Sequence, residues 1–90
     1  TRAGAIIQPG ANQIVVRNDG VLSNVTIQNG TNASATTVIL GEVSNVTFDG
    51  NERAARMGTR GLLTRCLFIN FMGAAGDYYV ISGSGSIWAR

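Results

Sequence analysis

The phrase Ser-Asn-Val-Thr occurs twice, at Ser23-Asn24-Val25-Thr26 and again at Ser44-Asn45-Val46-Thr47. Its flanks keep the same phase. Val21-Leu22 precedes the first copy and Glu42-Val43 the second, while Ile27-Gln28-Asn29-Gly30 and Phe48-Asp49-Gly50-Asn51 follow. A third copy, Leu62-Leu63-Thr64-Arg65-Cys66-Leu67-Phe68-Ile69-Asn70-Phe71, sets Leu62 in the place of Glu42 and Leu63 in that of Val43. One step back toward the start of the chain, Ala5-Ile6-Ile7-Gln8-Pro9-Gly10 aligns with Val25-Thr26-Ile27-Gln28-Asn29-Gly30. A nearly constant interval repeated in this way is the signature of stacked structural units, each too small to bury its own apolar face.

The alignment makes chemically coherent columns. Leu22, Val43 and Leu63 form one; Ala5, Val25, Val46 and Cys66 a second; Ile7, Ile27, Phe48 and Phe68 a third. Alternation along a strand points the last two columns to one side, which predicts the interior and leaves Thr26 and Thr47 facing out, with Asn24 and Asn45 at the turn into the strand. The predicted core is therefore Leu22, Val25, Ile27, Val43, Val46, Phe48, Leu63, Cys66 and Phe68. Further β-branched runs at 13–16, 36–40 and 78–81 supply a second strand to each coil, reached through Gly/Asn/Ala/Ser segments such as 30–35 and 73–77. Asp19-Gly20 and Gly41 mark corners where a positive φ is expected, and Gly61 precedes Leu62 at the same place. The segment 51–60 breaks the pattern: Glu52 to Met57 suits one short helical turn, expected as a surface excursion.

These features predict an all-β fold, a short parallel β-helix (solenoid) of three to four coils with about 20–21 residues per coil. It would occupy 1–90 as a single domain, with rungs near 5–8, 22–28, 43–49 and 63–69. A leucine-rich solenoid fits the apolar spacing less well, because the return segments are β-branched. A small sandwich remains the other all-β alternative. With 90 residues the chain holds one small domain. Only 13% of it is charged, which favours strands and turns over surface helices.

The phrase Val43-Ser44-Asn45-Val46-Thr47-Phe48-Asp49-Gly50-Asn51 resembles the coils of right-handed parallel β-helix proteins of the pectate-lyase type. That group includes phage tailspikes and polysaccharide-degrading enzymes. The resemblance spans roughly positions 5–71 and concerns the fold. It implies a right-handed coil and a role like that of tailspike or fibre-type modules.

The chain's chemistry is sparse. Histidine is absent, which removes His-based triads and His metal sites. Cys66 has no disulfide partner and sits in the inward column, so it reads as a buried structural thiol. No phosphate loop, zinc spacing or calcium loop occurs, and no metal or cofactor is expected. Glycan cleavage needs two carboxyl groups, or a base with cationic support. Asp49 and Glu52, with Arg53 and Arg56 and then Arg60 and Arg65 close in sequence, are the weak catalytic candidates. Surface ion pairing is the plainer reading of them, because Asp49 stacks between Gln28 and Ile69 and not on another acid. Asn24, Asn32 and Asn45 each begin an Asn-x-Ser/Thr triplet, but outward Asn and Thr ladders serve turns equally well. The net charge of +2, made from seven arginines and five acids, is too small for a nucleic-acid footprint, and no apolar run is long enough for membrane insertion as a helix.

The two ends differ from the middle. All six aromatic residues lie at or after position 48, and Leu67 and Ile69 replace the polar residues of earlier rungs. Leu67, Ile69, Phe71, Tyr78, Tyr79 and Trp88 are thus predicted to form an interface, or with 77–90 a cap. At the other end, the Ala5-Ile6-Ile7 rung has little above it except Thr1 to Gly4, so either more chain precedes it or another molecule covers it, since an exposed row of parallel-strand residues invites association. Thr1 is not an initiator methionine, which suits a processed product or a segment of something longer. The expected role is structural: a self-associating attachment component of an extracellular or virion assembly, tail-spike or fibre-like. The partners would be the chain itself, as a homo-oligomer such as a trimer, or neighbouring subunits, with a cell-surface glycan as outer ligand. The alternatives are a fragment of a carbohydrate-active enzyme (polysaccharide lyase or glycoside hydrolase) and a glycan-binding module without turnover.

Overall fold

The computed structural model describes residues 4–32, 34–58, 60–70 and the backbone of 81–83. Within them the chain is an all-parallel β-solenoid of about three turns, built from three sheets. The first sheet holds β1 (Ala5–Ile7), β4 (Val25–Gln28), β7 (Thr47–Asp49) and β10 (Leu67–Ile69) in that order. The second runs β2 (Ile14–Val16), β5 (Thr37–Ile39), β8 (Ala55–Met57) and β11 (Ile81–Gly83). The third holds β3 (Val21–Ser23), β6 (Glu42–Ser44) and β9 (Leu62–Thr64). Each strand pairs with the strand one coil away, so the columns read from the repeat are the registers of the sheets. Ile7 pairs Ile27, Ile27 pairs Phe48 and Phe48 pairs Phe68; Leu22 pairs Val43, which pairs Leu63.

The sequence phrase at 22–28 is not one strand. It breaks after Ser23, where Asn24 takes φ 60° and turns the chain from the third sheet into the first. Asn45 (φ 51°) and Arg65 (φ 55°) do the same on the next two coils. Asparagine tolerates this left-handed conformation because its short amide can hydrogen-bond locally. Across the coil spacing, Asn45 Nδ2 donates to Asn24 Oδ1 at 2.6 Å. The apolar-x-x-apolar-x-apolar pattern therefore encodes a corner between two sheets, which gives each coil three strands instead of the two expected.

Ile27, Val43, Val46, Phe48, Leu63 and Cys66 are buried, with Leu22, Val25 and Phe68 packed partly buried against them. Val16, Ile39, Ala54, Ala55 and Met57 complete this core. Three further expectations fail. The segment from Glu52 to Met57 is not helical: Ala55–Met57 is strand β8, and it brings Ala54, Ala55 and Met57 into the interior. Pairing of β8 with β5 and β11 outweighs the helix propensity of Ala and Arg, which cannot offset the cost of nucleating a helix in so short a segment. The positive φ at the 19–20 corner belongs to Asp19 (φ 65°) and neither Gly20 nor Gly41 adopts one. Gly41 is required for another reason: a Cβ there would meet the carbonyl oxygens of Arg17 and Gly20. Finally, Thr26 and Thr47 are buried, although they alternate with core residues and were expected to face solvent. In their column they lie between Ile6 and Leu67, larger apolar side chains on both sides.

Candidate functional site

Where the first sheet ends, its strands present Gln28, Asp49 and Ile69 in one column. The next residues, Asn29 (φ 57°), Gly50 (φ 70°) and Asn70 (φ 54°), all turn left-handed. Their amides keep the ladder going around the bend: Asn29 N–H donates to the Asp49 carbonyl and Gly50 N–H to that of Ile69, each at 3.0 Å. This bend leaves an open cleft of about 430 Å³ lined by Gln28, Asn29, Thr31, Asp49, Gly50, Glu52 and Asn70.

Asp49 is the best-held acid of the cleft. It is only 4% exposed, and Asn70 Nδ2 donates to its Oδ1 at 2.8 Å. Gln28 Nε2 approaches Oδ2 at 3.5 Å, the long limit of a hydrogen bond. Glu52 is half-buried beside it and is anchored through its backbone, whose N–H donates to the Gly30 carbonyl at 2.9 Å. Below the cleft Asn51 joins two coils. Its Nδ2 donates to the Ile27 carbonyl at 2.9 Å while its Oδ1 accepts from Gly30 N–H at 2.8 Å. A side chain that copies the backbone ladder in this way fixes the loop that carries Asp49 and Glu52.

The structure thus brings Asp49 and Glu52 to one cleft but scatters the arginines. Arg53 is half-buried on the way into β8, and Arg56 is exposed in β8 between Val38 and Ser82 of the paired strands. Arg60 lines a different cleft, of about 380 Å³, with Asp19, Glu42 and Leu62. Arg65 stands at the opposite end of the first sheet from Asp49, in the column of Asn24 and Asn45. The four cations expected around Asp49 therefore do not form one cluster. Each coil carries sequence neighbours around the solenoid's perimeter, so proximity in sequence is not proximity in space.

The sequence reading missed Gln28, Asn29, Asn51 and Asn70 as site-forming residues. The signal was present in the column Asn29, Gly50, Asn70, whose residue types are those that favour positive φ. Of the predicted interface, Leu67 and Ile69 are half-buried, and Phe71, Tyr78, Tyr79 and Trp88 lie outside the described residues. Cys66 is buried, with its Sγ near the Thr64 carbonyl at 3.5 Å and the Val43 carbonyl at 3.7 Å. Burial pushes this thiol's pKa up, opposed in part by hydrogen bonding to the backbone of Val46 and Thr64. Among the described residues no group of three or more acids, cysteines or histidines is placed to hold a metal, and no helix is long and apolar enough to cross a membrane.

Fold and cleft together define a parallel β-solenoid of about three turns with a polar, amide-lined cleft at the end of one sheet. In comparisons with known proteins, no family model, no curated protein and no solved structure matches the chain.

Proposed function

We propose that this chain is a structural, self-associating coil segment of an extracellular or virion assembly, similar in kind to the tailspike and fibre modules of the pectate-lyase-like β-helices. One observation carries the reading. Strands β1, β2 and β3 display Ile6, Val15 and Val21 on the outer face of one coil, with 54%, 50% and 65% of their surfaces exposed among the described residues. Large aliphatic side chains held together on an outward face favour contact with another subunit over contact with water. The test is mass in solution across a concentration series, by sedimentation or light scattering. A stable oligomer is the expected result, and a monodisperse folded monomer at high concentration sinks the proposal.

A second reading, glycan binding at the Asp49 cleft, is favoured by its lining of amides and carboxylates, which pair well with sugar hydroxyls. It predicts retention on an immobilised glycan panel that Asn70→Ala and Asp49→Ala weaken. Turnover lost in Asp49→Asn and Glu52→Gln would instead favour the carbohydrate-active enzyme. Neither retention nor turnover by the intact chain would remove both.

A further inference from the structure

Three pairs in the sequence set an Asp or Asn directly before a glycine: Asp19-Gly20, Asn29-Gly30 and Asp49-Gly50. Such pairs carry a chemical liability, because glycine has no side chain to shield its amide nitrogen from the side-chain carbonyl carbon one residue earlier. Asn29-Gly30 is the most reactive of them at neutral pH, since an amide releases ammonia more readily than an ionised carboxylate releases oxygen. The fold needs both of its residues. Asn29 turns the chain with φ 57°, a conformation that favours asparagine, and a Cβ on Gly30 would overlap the Thr36 side chain and crowd Asn51 Oδ1. The liability is therefore built into the bend and has to be silenced where it stands.

The reaction is a ring closure. Gly30 N attacks Asn29 Cγ, the new N–C bond forms as the Cγ–Nδ2 bond breaks, and the Gly30 amide proton departs with the released ammonia. Water then opens the cyclic imide at either carbonyl, leaving aspartate or its β-linked isomer at position 29. The attacking nitrogen must first give up its proton, and in the folded chain that proton is committed. Gly30 is buried, and its N–H donates to Asn51 Oδ1 at 2.8 Å. Asn51 is itself 2% exposed, and its Nδ2 donates to the Ile27 carbonyl at 2.9 Å. One of these partners can only donate and the other only accept, so the Asn51 amide has a single orientation, with its oxygen on Gly30. The other two glycines are held by main chain: Gly20 N–H donates to the Arg17 carbonyl at 2.8 Å and Gly50 N–H to that of Ile69 at 3.0 Å. Of the three pairs, Asn29-Gly30 alone depends on a side chain.

We propose that Asn29 is a deamidation site held silent by Asn51, one coil away. Asn29 is exposed and lines the cleft of Asp49 and Glu52. Conversion there adds a third carboxyl group to the cleft. The β-linked product also lengthens the main chain by a methylene at the residue whose N–H pairs with the Asp49 carbonyl at 3.0 Å. Modification thus changes both the charge of the cleft and the register of the bend, and its rate reports how often the Asn51 latch opens. The inference is independent of self-association and of glycan binding.

The experiment incubates the intact chain in mildly alkaline buffer and follows the peptide that contains Asn29 by mass spectrometry, scoring aspartate and its β-linked isomer. The native chain should keep the amide when folded and lose it when unfolded in urea. Asn51→Ala should speed loss of the Asn29 amide in the folded chain by about tenfold or more, because it strips the Gly30 N–H of a buried acceptor. Leu63→Ala, a core truncation in the third sheet, is the control for general loosening, with urea added until both variants have the same folded fraction. At that match Asn51→Ala should still deamidate faster. Hydrogen exchange of the native chain gives a reading that needs no variant: the Gly30 amide should exchange far more slowly than it does in the unfolded chain. Equal rates for Asn51→Ala and Leu63→Ala, a folded native chain that deamidates as fast as the unfolded one, or a Gly30 amide that exchanges freely would each overturn the proposal.

Discussion

The rings of Phe48 and Phe68 stack with centroids 4.7 Å apart and planes within 3° of parallel. That separation is the spacing of neighbouring strands, because the two residues are paired in β7 and β10. Stacking thus follows from register, and the pair extends the Ile7–Ile27 column with the two largest side chains in it. Phe48 is 1% exposed and Phe68 is half-buried, so the two are not equivalent. Phe48→Ala should cost about 3–5 kcal/mol and Phe48→Leu about 1–2 kcal/mol, with Phe68→Ala falling below Phe48→Ala. Urea denaturation midpoints check the order. An equal or larger loss at Phe68 would mean that the core is centred nearer the last rung.

Much of this register was legible in the sequence, because a solenoid repeats its neighbours at fixed intervals and like side chains fall into columns. The three-sheet cross-section was not. Asn24 and Asn45 do read as the turn into the strand, and each bears a left-handed corner, but the short apolar stretch before each does not reveal itself as a separate strand of a third sheet. The strand at Ala55–Met57 was hidden for a different reason: Ala54-Ala55-Arg56 has no β preference of its own, and it is extended because β5 offers it an edge. The cleft was half legible. Asp49 and Glu52 could be singled out as the acids beside one turn, but Asn51 and Asn70 act through contacts a full coil away in sequence, to Gly30, Ile27 and Asp49.

Thr37 carries a different kind of information. It lies in β5 between Ile14 and Ala55, is fully buried, and its hydroxyl has no hydrogen-bond partner among the described residues. A buried hydroxyl without a partner forfeits its hydration, and valine has nearly the same shape without the oxygen. Thr37→Val should therefore stabilise the chain by about 1 kcal/mol, read as a higher thermal or urea midpoint. A loss of stability would show that the hydroxyl is bonded in solution.

Arg65 occupies the left-handed corner position that Asn24 and Asn45 fill on the coils before it. Arginine has no side-chain device to favour a φ of 55°, whereas asparagine has one and would face Asn45 across the coil spacing. Arg65→Asn should add about 0.5–1 kcal/mol by relieving the backbone and extending the amide ladder. Arg65→Ala should give no such gain, since it removes the long side chain and leaves the φ preference unimproved. Comparing the two variants separates the ladder from simple removal of a charge.

Cys66 makes stability depend on pH in a direction set by its burial. Its folded pKa is raised above the ordinary value of 9.0, chiefly by desolvation. Below that value the thiol is protonated whether the chain is folded or not, and its contribution to stability is fully present. As pH climbs past 9.0, unfolded chains release the proton while folded chains hold it, so the unfolded state gains and stability falls until the folded thiol also ionises. Tyrosines titrate in the same range, so the comparison is made against Cys66→Val, which restores the side chain of Val25 and Val46 to this column and has no proton to lose. Urea midpoints of the two proteins should run parallel at neutral pH and separate above pH 9.0, with the native chain dropping faster. Parallel curves throughout would place the thiol in contact with water, and rapid alkylation of Cys66 in the folded chain would then follow.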